Sequence, residues 1–132
     1  MANTQINPVT FLAKPNSTTK TSTSPVVPAA SYTSSTSLQN NAKHIVDSTS
    51  MLMFTLPSKS NVGDTIWVLG YGTGGWKIAQ NPGQTIHALT NTTTGTAGSL
   101  MSTARYDSVE LVCIVADKEY TVQSVKGTIM VA

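Results

Sequence analysis

The sequence predicts an all-β protein: an antiparallel β-sandwich, jelly-roll-like or β-barrel domain of about eight short strands, preceded by an extended N-terminal arm. Three observations carry that expectation. Short β-branched and aromatic runs recur between turn signals at roughly eight- to twelve-residue intervals, the spacing of sandwiches and barrels. No stretch places apolar residues at i, i+3, i+4 and i+7, as a long amphipathic helix requires. Charged residues make up only 11% of the 132-residue chain, and 21 Thr and 15 Ser supply a mostly hydroxyl polar surface instead.

Residues 1–14 hold a short apolar patch, Val9-Thr10-Phe11-Leu12-Ala13, between Pro8 and Pro15. Proline is tolerated at strand starts and edges, so the patch reads as a short edge strand. Residues 15–42 contain three prolines and dense Ser and Thr, a composition that supports neither helix nor a core of its own. The expected division is therefore an arm over residues 1–49 and an all-β domain over residues 50–132. Within the arm, residues 42–48 fit one strand or a single helical turn. Residues 50–56, SMLMFTL, are apolar on both faces and end at Pro57, which predicts a buried central strand.

Residues 56–86 are the most patterned stretch. Asn61-Val62-Gly63-Asp64 is a turn signal, and Thr65-Ile66-Trp67-Val68-Leu69 has strand composition. After a glycine-rich loop, Trp76 and Ile78 share one face of a strand and Lys77 takes the other. Pro82-Gly83 suits a type II turn, and residues 84–88 form the next strand. The expectation is a three-stranded antiparallel meander, with Trp67 and Trp76 packed together in the core. Gly70, Gly72 and Gly75 match G-x-G-x-x-G, but a strand pattern follows where a dinucleotide site needs a helix. They are assigned to a hairpin loop.

Residues 89–105 read as a long polar loop, the first candidate for a contact surface. Further on, Val109, Leu111, Cys113 and Val115 share one face, and Val112 and Ile114 make that strand nearly two-sided. Strands over residues 119–125 and 128–132 complete the chain.

The sequence assigns no catalytic residue, cofactor or metal site. His44 and His87 sit in no ligand spacing, and Asp107 and Glu110 point to opposite faces of a strand. Asp117 and Glu119 flank a solvated turn. Cys113, the single cysteine, reads as a small buried hydrophobe. A net charge of +2 without a basic stripe argues against nucleic acid. There is no apolar run of membrane-spanning length and no signal-peptide pattern at Met1, so synthesis in a cytosol is expected. A carbohydrate-binding module is the alternative to a structural role. Aromatics on a β-surface can stack on sugars, and Tyr71, Thr73, Trp76, Asn91, Thr93 and Thr96 form its candidate contact surface.

One resemblance covers roughly residues 50–132. Leu56-Pro57, Val62-Gly63-Asp64, Gly74-Gly75-Trp76-Lys77-Ile78, Gly83-Gln84-Thr85-Ile86, Gly98-Ser99-Leu100 and residues 105–111, RYDSVEL, resemble modules of bacteriophage and viral structural proteins. These are the tail-fibre, head-fibre and capsid-decoration polypeptides. The resemblance implies a trimeric, all-β, non-enzymatic virion protein serving particle stability or host attachment. Residues 1–49 lie outside the resemblance. A short Ser/Thr/Pro-rich N-terminal arm ahead of such a domain would suit attachment to other virion proteins, of capsid or tail, with the β-domain projecting outward. A host-surface glycan is a further partner to expect.

Overall fold

The computed structural model describes residues 27–132; the patch at residues 9–13 lies outside them. The described residues are all β, and twelve strands form two mixed sheets. In chain order these are β1 (Ala29–Tyr32), β2 (Thr36–Ser37), β3 (Ala42–Val46), β4 (Leu52–Thr55), β5 (Thr65–Gly70) and β6 (Trp76–Ala79). There follow β7 (Thr85–Ala88), β8 (Asn91–Thr92), β9 (Ser99–Ser102), β10 (Ser108–Val115), β11 (Glu119–Lys126) and β12 (Ile129–Val131). The seven-stranded sheet runs β1-β3-β5-β10-β11-β7-β8, and the five-stranded sheet runs β12-β9-β6-β4-β2.

The first six strands alternate between the sheets. Each successive pair, β1–β2, β3–β4 and β5–β6, makes one circuit that leaves a strand in each sheet. Like strands of successive circuits therefore pair in parallel: β1 with β3, β3 with β5, β2 with β4, and β4 with β6. The register stacks Ala29, Lys43 and Trp67 in one column, and Thr36, Phe54 and Ile78 in another. The C-terminal half is mainly antiparallel, with β10 joined to both β5 and β11, although β11 and β7 pair in parallel.

This arrangement corrects the meander. β5, β6 and β7 lie alternately in the seven-, five- and seven-stranded sheets, so they do not pair with one another. Trp67 and Trp76 consequently do not pack together: Trp76 is fully buried between the sheets, while Trp67 lies half-buried on the outer face. The glycine loop turns the chain from one sheet to the other and rests on the corner of the preceding circuit. Tyr71 and Gly72 donate their N–H groups to Val46 O, and Gly74 donates to Ser48 O. A Cβ on Gly72 would overlap the backbone of Ser48, and one on Gly74 the backbone of Ser50. Close backbone approach accounts for the absence of a side chain at both positions.

The core draws on both sheets. Leu52, Phe54, Trp76, Ile78 and Leu100 come from the five-stranded sheet, and Val46, Ile66, Val68, Ile86, Leu111, Cys113 and Tyr120 from the other. Each fully buried aliphatic or Phe side chain contributes about 1.5–3 kcal/mol relative to exposure. The described part of the supposed arm, residues 27–49, contributes to this core. Residues 42–46 are a strand, and Leu38, His44 and Val46 are buried, so the folded region begins well ahead of residue 50.

Two strands are more one-sided than their composition implied. In β4, Leu52 and Phe54 are buried while Met51 and Met53, before and within it, are about half exposed. In β10, Val109, Leu111 and Cys113 point inward, but a register shift between Cys113 and Val115 leaves Ile114 and Val115 exposed. Cys113 is the buried hydrophobe expected, and burial pushes its thiol pKa up.

His44 sits at the first-circuit end of the core, its ring 5.2 Å from that of Tyr32 and 6.4 Å from that of Phe54. The Gln39 N–H donates to Nε2 at 3.0 Å, so the ring proton is on Nδ1, which meets Trp67 O at 3.0 Å. The neutral ring is thus satisfied at both nitrogens. Burial, the leading cause, pushes its pKa below the ordinary 6.5, against the opposing backbone hydrogen bonds.

Two predictions follow from this packing. Gly72→Ala lowers unfolding stability by about 1–3 kcal/mol through overpacking, whereas Gly95→Ala, with open space around it, changes it by less than about 0.5; urea denaturation measures both. Because the pKa of His44 is lower when folded than when unfolded, its contribution is complete above about pH 6.5 and is lost as pH falls through the folded value. The urea midpoint should fall on acidification, with a smaller slope in His44→Gln.

Candidate functional site

Loops 47–51, 70–75 and 103–107 gather at one end of the sandwich, and Asp107 ties the last two together. Its carbonyl accepts the Gly70 N–H at 3.0 Å and the Trp76 indole N–H at 2.9 Å. Its buried carboxylate accepts the Thr103 N–H at 2.9 Å, the Ala104 N–H at 3.0 Å and the Thr103 hydroxyl at 3.2 Å. The Asp107 N–H closes the same turn onto Ala104 O. Gly127 leaves room for the other carboxylate oxygen, where any Cβ would collide with it. A short polar side chain that returns to nearby N–H groups is the usual way to hold such a turn.

The turn presents Arg105 and Tyr106 to solvent. Tyr106 adopts φ 72°, the left-handed region that costs an L-residue roughly 1–2 kcal/mol. Arg105 Nε donates to Tyr71 O at 2.8 Å. Its guanidinium carbon lies 4.8 Å from the centre of the Tyr106 ring and 5.9 Å from that of Tyr71. The two tyrosine rings are 6.5 Å apart and inclined at 61°. Tyr71 is 54% exposed and Tyr106 51%, so both rings offer surface to a ligand. Beside them is an open cleft of about 150 Å³ lined by Met51, Thr73, Gly74, Gly75, Thr103 and Arg105, among others. Arg105 belongs to neither ion pair found among the described residues, which are Lys59–Asp117 and His87–Glu119.

The residues expected to form a contact surface divide. Tyr71 and Thr73 are exposed at this end. Trp76 is not available: it is fully buried, its indole committed to Asp107. Asn91 and Thr96 are exposed, but Thr93 is buried, receiving the Ile86 N–H and donating to Gln80 Oε1. Gln80 also donates to Thr94 O, which places residues 93–96 beyond the far end of β6, away from Tyr71 and Thr73. The predicted long loop is in fact structured by β8 and β9, whose residues Ser99, Leu100 and Ser102 are buried. Arg105, the last residue of the candidate loop, and Tyr106 were not singled out as contact residues. The signal available was a basic–aromatic pair next to an Asp, but only the fold brings it to Tyr71.

At the opposite end, Tyr120 OH meets Ser60 Oγ at 2.7 Å, and Ser60 N–H donates to Asp117 Oδ1 at 2.7 Å. Burial raises the Tyr120 pKa, so that hydroxyl stays protonated and acts as a structural hydrogen-bonding group. Among the described residues no group of three or more His, Cys, Asp or Glu is placed to hold a metal ion. The Tyr71–Arg105–Tyr106 cluster offers a fixed cation and two aromatic surfaces, which is the chemistry of binding. Neither a protein-family model nor a curated protein matches the chain.

Asp107→Ala removes the acceptor of three donors and leaves the Thr103 and Ala104 N–H groups unpaired. It should cost about 2–3 kcal/mol in urea denaturation, with altered Trp76 fluorescence as the turn relaxes.

Proposed function

We propose that the chain is a non-enzymatic virion structural protein, a capsid-decoration or head- or tail-fibre subunit that self-associates through the outer face of its five-stranded sheet. The supporting observation is a methionine-lined row. Met53 pairs with Lys77, Lys77 with Met101, and Met101 with Met130, so four adjacent strands carry these side chains side by side. At about 4.8 Å per strand the row spans roughly 14 Å. Met53 and Met130 are about half exposed, as is Met51 at the strand's start. Every methionine of the described residues thus belongs to this face or its corner.

Methionine surfaces are apolar and adaptable, and they recur at docking faces. Lys77 is the one charge in the row; a lysine's aliphatic stem can extend an apolar surface while its ammonium stays in water. Copies of this face brought together around a threefold axis would bury the row against one another. A homotrimer is the assembly that the resemblance to fibre and decoration subunits implies, with the residues ahead of β1 tethering it to capsid or tail proteins. The carbohydrate-binding alternative rests on Tyr71 alone of its aromatic pair, because Trp76 is enclosed.

Light scattering across a concentration series tests the reading. The full chain should run as an oligomer, and Met53→Glu combined with Met130→Glu should disperse it without loss of folded structure. A wild-type chain that stays monomeric at high concentration contradicts the proposal.

A further inference from the structure

The structure assigns a ligand to the loop end: we propose that Tyr71, Arg105 and Tyr106 bind an acidic sugar, a hexuronate or sialic acid residue of a glycan, through its carboxylate and one ring face. The inference is independent of self-association, since the cluster stands on the loops and not on the methionine row.

Four features converge on it. First, Arg105 is held and yet unneutralised. Its Nε is tied to Tyr71 O, and it takes part in neither ion pair among the described residues. The terminal N–H groups of a guanidinium so pinned can meet a carboxylate with two parallel hydrogen bonds, at little further ordering cost. Second, the tyrosine rings that position the cation are half exposed and inclined to each other, which leaves an aromatic surface for the C–H face of a sugar ring. Third, the backbone under Tyr106 is strained. A bulky residue at φ 72° is unfavourable for folding, and the buried Asp107 network maintains it. Fourth, the adjoining cleft of about 150 Å³ is rimmed by the exposed Thr73, whose hydroxyl can hydrogen-bond a sugar hydroxyl. It is well below the roughly 300 Å³ that drug-sized ligands need, so the site takes one ring.

These features also separate acidic from neutral sugars. A neutral pyranose gains the aromatic contact alone, whereas a carboxylate adds a charge-assisted pair with Arg105. Affinity should be modest, because the site is open and the cation solvated.

Saturation-transfer NMR on the full chain tests this with sodium glucuronate, N-acetylneuraminate and methyl glucoside as probes. Expected are saturation of the acidic sugars at millimolar concentration, binding weaker by at least about tenfold for the glucoside, and loss of the acidic-sugar signal in Arg105→Gln. Glycine accepts positive φ, so Tyr106→Gly should bind no sugar while melting no lower than wild type. Equal binding of glucoside and glucuronate, persistence of binding in Arg105→Gln, or no saturation by either acid at millimolar concentration each overturn the assignment. So does a Tyr106→Gly variant that melts several degrees lower, because the strained ring would then serve the fold.

Discussion

The close stacking of successive chain circuits is the constraint on which the remaining structure depends. Residues 70–75 can lie on residues 46–50 only because positions 72 and 74 carry no Cβ. That contact sets the parallel register of β5 on β3 and of β6 on β4, since both strands leave the same corner. With the register fixed, Ile66 and Val68 face the core opposite Trp76 and Ile78, and Trp67 and Lys77 face outward. A one-residue slip would invert every one of these assignments, because strand side chains alternate with period two.

The two outer faces and the loop end inherit different chemistry from that register. On the five-stranded sheet, outward positions of four adjacent strands carry three methionines and a lysine, a soft apolar row. On the seven-stranded sheet the outer face is mixed: Lys43 lies over the half-buried Trp67 ring at 5.8 Å, and Glu110 accepts from Ser124. At the loop end, Asp107 ties the turn before β10 to Gly70 and to the Trp76 indole. Arg105 and Tyr106 therefore approach Tyr71 as a consequence of core packing. A single buried carboxylate connects core order to surface chemistry, which is why its loss is expected to reach both.

Much of the secondary structure was legible, because local composition decides it. The Thr65–Gly70, Trp76–Ala79 and Glu119–Lys126 strands follow from β-branched and aromatic runs between turn residues, and the inward choice of Trp76 and Ile78 from alternation. Sheet partnership was not legible. A glycine-rich loop between two strand patterns reads as a hairpin, and nothing local distinguishes a hairpin from a crossing to the other sheet. The Ser/Thr-rich segment before residue 49 misled for a related reason. Ala29–Tyr32 has too few apolar residues to form a core, but as an edge strand it needs only Tyr32 to reach His44 and Phe54. The loop-end cluster was half visible: Tyr71 stood out, while Arg105 and Tyr106 gain meaning only beside it.

Amide hydrogen exchange of the intact chain tests the stacked-circuit architecture most directly. The β3 amides of Ile45 and Val46 lie between parallel neighbours β1 and β5. They should exchange as slowly as those of Val109 and Leu111 in β10, at the rate set by global unfolding. Rapid exchange at Ile45 and Val46 with full protection in β10 would mean that residues 29–46 form an arm outside the core, and the account would fail there.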